Sequence, residues 1–150
     1  MKKERTIILA SGVFDLIHYG HIHYLKEAKK AGGKNSKLIV IVARDDTVKK
    51  LKGKKPIIPE DQRRAIVESL KPVDQAILGY EPLNLEDVIL KIKPDIIAVG
   101  FDQKFVEDSV AKIVKEKDLK IKIVKITQFG PEELNSSSKI KKKIISELKY

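Results

Sequence analysis

Two apolar runs constrain the fold of this chain most strongly. Residues 38–43 and 96–99 are almost continuously apolar and rich in valine and isoleucine. Strands covered on both faces have this pattern, and such strands belong to parallel sheets flanked by helices. With the weaker runs added, we predict five strands over residues 6–10, 38–43, 75–78, 95–99 and 120–126. The last run alternates lysine with apolar residues, which indicates a half-exposed edge strand.

Helical patterns fill the intervals between these strands. The first helix is expected to end at Gly32 and Gly33. A second begins at 59–61, where proline and two acids suit a first turn, and is predicted to turn three residues inward: Ala65, Ile66 and Leu70. Asn84 with Asp87 resembles a capping box, which predicts a third helix carrying Leu85, Val88, Ile89 and Ile92.

Two more helices are predicted over 107–117 and 137–148, the latter with Ile140, Ile144 and Leu148 on one face. This alternation of strands and helices indicates βαβ units with right-handed crossovers. We therefore predict a doubly wound, Rossmann-like α/β fold with a five-stranded parallel sheet, in a single domain over residues 1–150.

Composition narrows the class of protein. The 150 residues are 42% hydrophobic and 35% charged, which is typical of a globular domain. No run reaches the roughly 20 apolar residues of a membrane span, and no signal peptide is recognised. Cysteine is absent, which excludes disulfides, thiolate metal sites and cysteine nucleophiles. We expect a cytoplasmic protein without a membrane partner.

All three histidines fall between residues 18 and 23, where the first strand gives way to a helix. Free backbone N–H groups and the positive end of the helix dipole meet at such a helix start and favour phosphate. Gly20 lets the backbone approach a ligand closely, and His18 and His21 add directed donors. This turn is therefore a candidate phosphate site.

Polar clusters follow the other strands as well: 44–46, 100–103 and 135–139. Ligands of open α/β sheets bind beyond the carboxyl ends of the strands, so these clusters are expected on one rim. The net charge is +10, and five lysines lie within residues 49–55, a segment with little periodicity that we interpret as a loop. Its charge, with Arg44, suits an acceptor phosphate and makes Arg44, Lys52, Lys54 and Lys55 candidate acceptor ligands.

Aromatic residues make up 5% of the chain, and none interrupts the lysine runs. A basic nucleic-acid-binding module, which is the non-enzymatic alternative, would need aromatic residues among its basic ones. Tyr24, Phe105 and Phe129 are expected to pack in the core or at the rim, whereas Phe101 or Tyr80 is a candidate for stacking on a flat ring.

Residues 12–21, Gly-Val-Phe-Asp-Leu-Ile-His-Tyr-Gly-His, resemble the G-T-F-D-x-x-H-x-G-H motif of the nucleotidyltransferase superfamily, with Val13 in place of threonine. Residues 135–140, Asn-Ser-Ser-Ser-Lys-Ile, are similar to its second motif, I-S-S-T-x-I. The resemblance implies that His18, His21 and Arg63 are catalytic, with Arg63 binding phosphates. It also implies nucleotide contacts from Val13, Phe14, His18, Tyr19, Gly20, His21, Asp102, Ser136, Ser137, Ser138 and Lys139.

A longer likeness covers most of the chain. Residues 38–60, 70–79 and 93–100 are very similar to the archaeal FAD synthases. The resemblance implies transfer of AMP from ATP to FMN, with pyrophosphate released. Mg²⁺ or another divalent metal is expected, held mainly by phosphates and without dedicated protein ligands. We also expect a homodimer and no nucleic-acid partner. A cytidylyltransferase acting on glycerol 3-phosphate, or a similar phosphorylated small molecule, is the enzymatic alternative.

Overall fold

A computed structural model describes residues 5–80, 84–128 and 136–148. Strands and helices alternate along the chain, as predicted. The strands are β1 (Thr6–Gly12), β2 (Ser36–Val42), β3 (Gln75–Leu78), β4 (Ile96–Gly100) and β5 (Lys122–Ile126). The helices are α1 (Tyr19–Ala31), α2 (Asp45–Lys52), α3 (Glu60–Glu68), α4 (Leu85–Ile92), α5 (Lys104–Glu116) and α6 (Ser137–Leu148).

The five strands form one parallel sheet in the order β3-β2-β1-β4-β5. Each face of the sheet carries its own apolar core. Leu25 of α1 and Val67 of α3 pack on one face, and Val88 of α4 and Val110 of α5 pack on the other. The predicted doubly wound parallel fold is confirmed, with β5 at an edge. None of the helices in the described ranges has the length and apolar character that a membrane span requires.

The neighbouring strands β1 and β4 separate towards their carboxyl ends. β1 and β4 pair at Ile8↔Ile96 and Leu9↔Ile97. Beyond these pairs, β1 continues along β2 to Gly12, and β4 continues along β5 to Gly100. A crevice therefore opens between β1 and β4, at the point where strand order reverses and where ligands of such sheets bind. We call it the β1/β4 crevice.

The lysine-rich segment differs from prediction, because residues 45–52 form helix α2 instead of a loop. Asp45 and Asp46 lie in its first turn, and Gly53 ends it with a left-handed φ of 85°. Thr47 and Val48 are its buried residues, and Asp45 pairs with Arg63 of α3, so both burial and an ion pair hold this short helix on the domain. The acids and the glycine are ordinary signals for a helix start and stop. The prediction gave more weight to the run of lysines, which lacks helical periodicity.

Two predicted helix faces were also wrong. In α3 the buried residues are Arg63 and Val67, whereas Ala65 and Ile66 are exposed; Leu70, just after the helix, packs against the core as predicted. The expected apolar face of α6 is not covered: Ile144 and Leu148 are 49% and 63% exposed. Periodicity identifies an amphipathic helix, but it does not say which neighbour covers the helix.

Candidate active site at the carboxyl end of the sheet

The two histidines of the first motif cap helix α1 reciprocally. His18 is the N-cap residue, and its Nδ1 accepts the backbone N–H of Gly20 at 3.0 Å. In return, Nδ1 of His21 accepts the backbone N–H of His18 at 3.2 Å. The rings lie 4.0 Å apart between centroids. The predicted position of both histidines at a helix start is confirmed.

This arrangement determines which ring nitrogen carries the proton. A neutral imidazole has one donor and one acceptor nitrogen, and each Nδ1 is occupied as an acceptor. Nε2–H is then the donor of both rings, and the backbone of one short turn fixes both tautomers. A phosphate at this helix start would meet two imidazole donors at the positive end of the helix dipole.

Burial keeps both imidazoles neutral. It lowers the pKa of His18, and it lowers the pKa of His21 to about 4. The neighbouring His18 lowers the pKa of His21 further, whereas Asp15 acts in the opposite direction. At neutral pH both rings therefore donate without carrying a charge.

Asp15 anchors the loop that leads to the histidines. Its carboxylate accepts the backbone N–H groups of Ile57 and Ile58 at 2.8 and 2.9 Å. Burial raises the pKa of Asp15, but these two donors and Lys141 outweigh burial and leave the pKa below its ordinary value. The flanking residues Phe14 and Leu16 have φ of 57° and 49°. A bulky residue is strained in this region, at about 1–3 kcal/mol, and needs such anchors.

The second motif lies against the same loop. The Ser137 hydroxyl donates to the carbonyl of Asp15, and Lys141 lies 3.4 Å from its carboxylate. Ser136 caps α6, because its Oγ accepts the backbone N–H of Lys139 at 3.2 Å. Ser138 and Lys139 are exposed on this first turn. The structure therefore brings two motifs about 120 residues apart in sequence together; Asn135 and Phe129 lie outside the described residues.

Arg63 does not face the rim, so the prediction that it binds phosphates directly is wrong for this structure. Its side chain is fully buried. Nε donates to the carbonyl of Ile58 at 2.8 Å, and Nη1 donates to the carbonyls of Val13 and Ala43 at 2.7 and 2.8 Å. Nη2 pairs with Asp45 at 2.6 Å. Arg63 thus positions the segments that follow β1 and β2.

Phe14 is also a core residue that is only 3% exposed, so the nucleotide contact predicted for it would have to come from its backbone. Val13 offers its carbonyl to Arg63. Tyr19 is 52% exposed beside Gly20, at the start of α1. Of Val13, Phe14 and Tyr19, Tyr19 is therefore the residue whose side chain remains a candidate for nucleotide contact.

The candidate acceptor residues divide into two groups. Arg44 is partly engaged, because Nε donates to the carbonyl of Gly79 at 2.6 Å and Nη1 pairs with Glu60 at 3.0 Å. Lys52, Lys54 and Lys55 are exposed around the end of α2, and Lys55 lies 3.8 Å from Asp46. The lysines are available to an anion in solution, whereas Arg44 also ties β2 to the end of β3.

Asp102 is exposed in the turn that follows β4, as expected of a rim residue. Two residues next to the β1/β4 crevice were missed as functional candidates. Gln103 donates from Nε2 to the carbonyl of Ser11 at 2.9 Å, and the Tyr24 hydroxyl donates to the carbonyl of Ala98 at 2.8 Å. Tyr24 was predicted only to pack in the core or at the rim. The same prediction is wrong for Phe105, which is 70% exposed.

Metal-binding side chains do not cluster in the part of the chain that the structure describes. Within residues 5–80, 84–128 and 136–148, no three His, Cys, Asp or Glu side chains are grouped to hold a metal ion.

Comparisons with known proteins agree with the two motifs. The family model described as cytidylyltransferase-like matches residues 9–143. A protein of Methanothermus fervidus named FAD synthase is 52% identical over 136 residues, which are 91% of this chain and 92% of that protein. FAD synthases of Aciduliprofundum boonei and Thermoplasma volcanium are 44% and 46% identical, each over 92% of this chain and over 89% and 93% of their own lengths.

Solved structures show the same fold. A crystal structure titled as a lipopolysaccharide core biosynthesis protein of Thermoplasma volcanium superposes with a TM-score of 0.74 at 44% identity. The match covers 83% of this chain and 98% of that one. A protein of unknown function from Archaeoglobus fulgidus superposes with a TM-score of 0.63 at 18% identity, over 81% and 89% of the two chains, and supports the fold alone.

Proposed function

The chain belongs to the cytidylyltransferase-like family and, within it, to the archaeal FAD synthases, and on that premise we propose that it transfers AMP from ATP to FMN. A phosphate oxygen of FMN attacks the α-phosphorus of ATP. The bond from that phosphorus to the bridging oxygen breaks, and pyrophosphate leaves. FAD is the other product. No protein nucleophile is needed, so the protein contributes positioning and charge stabilisation.

The reciprocal capping of His18 and His21 is the observation that supports this proposal best. It directs two neutral Nε2–H donors at a helix start, where the α-phosphate would gain charge in the transition state. Ser136, Ser137, Ser138 and Lys139 lie on a second helix start beside the same loop. In our proposal this second start binds the β- and γ-phosphates of ATP.

A divalent cation such as Mg²⁺ would be held mainly by the phosphates and by water, and it would offset phosphate charge. The exposed carboxylate of Asp102 has the oxygen chemistry that suits such a cation. Asp102 is equally suited to accept from a ribose hydroxyl or a base amine.

FMN would place its phosphate near Lys52, Lys54 and Lys55, and its flat ring needs an apolar surface. Phe101 is 46% exposed beside Asp102 and offers that surface. Tyr80 fits less well, because its ring packs against the core and lies under Lys91.

A homodimer and a cytoplasmic location stay predictions, and sedimentation of the purified protein would test the first.

Product analysis tests the function directly. Purified protein with ATP, FMN and Mg²⁺ should form FAD and pyrophosphate, measured by chromatography. Riboflavin lacks the acceptor phosphate and serves as the matched negative control. A product from CTP and glycerol 3-phosphate, with no FAD from FMN and ATP, would instead assign the chain to the cytidylyltransferase branch.

A further inference from the structure

Backbone groups line the β1/β4 crevice where the two strands no longer pair. They are the N–H and carbonyl of Ser11, the carbonyl of Ala98 and the N–H of Gly100. In a regular sheet these groups would bind each other across the strands. Buried backbone groups need partners, so an open crevice at this place requires side chains that replace the missing ladder.

Two side chains provide these partners. Gln103 donates from Nε2 to the Ser11 carbonyl at 2.9 Å and accepts the Gly100 N–H at Oε1 at 2.7 Å. The Tyr24 hydroxyl donates to the Ala98 carbonyl at 2.8 Å and accepts the Ser11 N–H at 3.4 Å. Burial raises the pKa of Tyr24, so the hydroxyl keeps its proton. One amide and one phenol thus bridge the crevice.

Gln103 also determines where Asp102 lies. Its backbone N–H donates to the Gly100 carbonyl at 3.2 Å, which closes a turn around Phe101 and Asp102. An added Cβ at Gly100 would lie 3.2 Å from Asp102 Oδ1 and 3.3 Å from Gln103 Oε1, so both side chains lie closely over this glycine. On the other side of the crevice, Ser11 leads into the loop of the histidines. The Gln103 amide therefore joins the two halves of the rim.

We propose that Gln103 is a positioning residue for ATP, which holds the Asp102 turn and the histidine loop at the spacing that one nucleotide spans. This inference rests on the proposed function. An amide is needed because the site requires a donor for Ser11 and an acceptor for Gly100 from one side chain. Glutamate keeps only the acceptor at neutral pH, and methionine has neither group.

The test compares Gln103→Met and Gln103→Glu with the parental protein. Gln75→Met is the matched control, because Gln75 is exposed at the start of the edge strand β3. We expect Gln103→Met to raise the KM for ATP about tenfold, the value of one to two hydrogen bonds, with a smaller change in kcat and an unchanged KM for FMN. Gln75→Met should match the parent.

Gln103→Glu adds a second measurement, the pH dependence of the ATP KM. A purely structural role of Gln103 would not change this dependence. Protonation of the new carboxyl restores a donor to Ser11. The ratio of the variant's ATP KM to that of the parent at the same pH should therefore approach unity as the pH falls from about 7 to 4.5, through the ordinary range of a carboxyl pKa. A parental ATP KM in Gln103→Met would overturn the proposal. So would equal increases in both KM values together with a lower melting temperature.

The failure of the proposed function is distinguishable from the failure of this inference. If the parent forms no FAD, calorimetry with Mg²⁺ and ATP still decides the role of Gln103. Weaker ATP binding by Gln103→Met than by Gln75→Met supports the positioning role, and equal binding overturns it. A parent with no affinity for ATP overturns both.

Discussion

The guanidinium of Arg63 donates to the backbone carbonyl of Val13 at 2.7 Å, so that a residue of α3 supports the loop carrying His18 and His21. The same guanidinium contacts the segment after β2 through Ala43 and Asp45. Its charge is thus paired inside the protein, and we expect Arg63 to affect the reaction only through the geometry of two loops.

Arg63→Met should destabilise the protein by about 3 kcal/mol, at the lower end for breaking a buried ion pair, because Asp45 retains some solvent. Urea unfolding monitored by circular dichroism measures this. Arg64→Met is the matched control: Arg64 pairs with the exposed Glu68 and donates to the Ala76 carbonyl at 3.2 Å, so the expected loss is about 1 kcal/mol. Parental stability in Arg63→Lys, combined with lost ATP binding, would instead place this side chain on the phosphates.

The histidine donors are tested by single substitutions. His18→Asn and His21→Ala should each lower kcat by about 10²–10³-fold, the usual effect of losing one donor to transition-state charge. Asparagine at position 18 keeps an N-cap acceptor, which separates catalysis from helix stability. His23→Ala is the control, since that side chain lines a cavity of about 370 Å³ between α1 and β5. Near-parental turnover in a folded His18 or His21 variant would remove that histidine from the mechanism.

The low pKa of His21 predicts how stability depends on pH. Unfolding restores its ordinary pKa of 6.5, whereas the folded value is about 4. Between these values the unfolded state binds more protons, so stability should fall as the pH is lowered from 6.5 to 4. Urea midpoints across this range measure the effect, and His21→Ala should flatten the slope. An NMR titration of His21 with a midpoint near 6.5 would contradict the prediction.

The exposed lysines are predicted to act on binding more than on chemistry. Changing Lys52, Lys54 and Lys55 together to glutamine should raise the KM for FMN severalfold and weaken its dependence on salt, with little change in kcat. The control variant changes Lys112, Lys115 and Lys120 to glutamine, which removes the same charge. These lysines lie on α5 and just before β5. If both triple variants shift the KM alike, net charge and not this site attracts the acceptor.

Local patterns in the sequence were sufficient to predict the parallel sheet. Leu38 to Val42 and Ile96 to Val99 are apolar because both faces of β2 and β4 are covered, and this property is visible in the residues themselves. The position of His18 at the start of α1 was equally predictable, because a strand, a glycine and a helical pattern follow one another within fifteen residues. Such signals depend on short-range geometry alone.

Longer-range relationships were not predictable in this way. The burial of Arg63 depends on carbonyl groups 20 and 50 residues away, so the sequence gives no indication that the arginine points inward. The same holds for Gln103, which reaches Ser11 across 92 residues only because β1 and β4 separate. The helix α2 was missed for a local reason, since its lysines outweighed the signals at its two ends.

The sequence by itself determined the parallel α/β architecture, the rim that carries the candidate site and the position of the two histidines at the start of α1, because these follow from periodicity and from residues adjacent in the chain. Only the tertiary structure decided which ring nitrogens donate, that Arg63 supports the rim from beneath, and which side chains bridge the β1/β4 crevice. Those properties arise when backbone groups left unpaired by the fold bind side chains from distant segments.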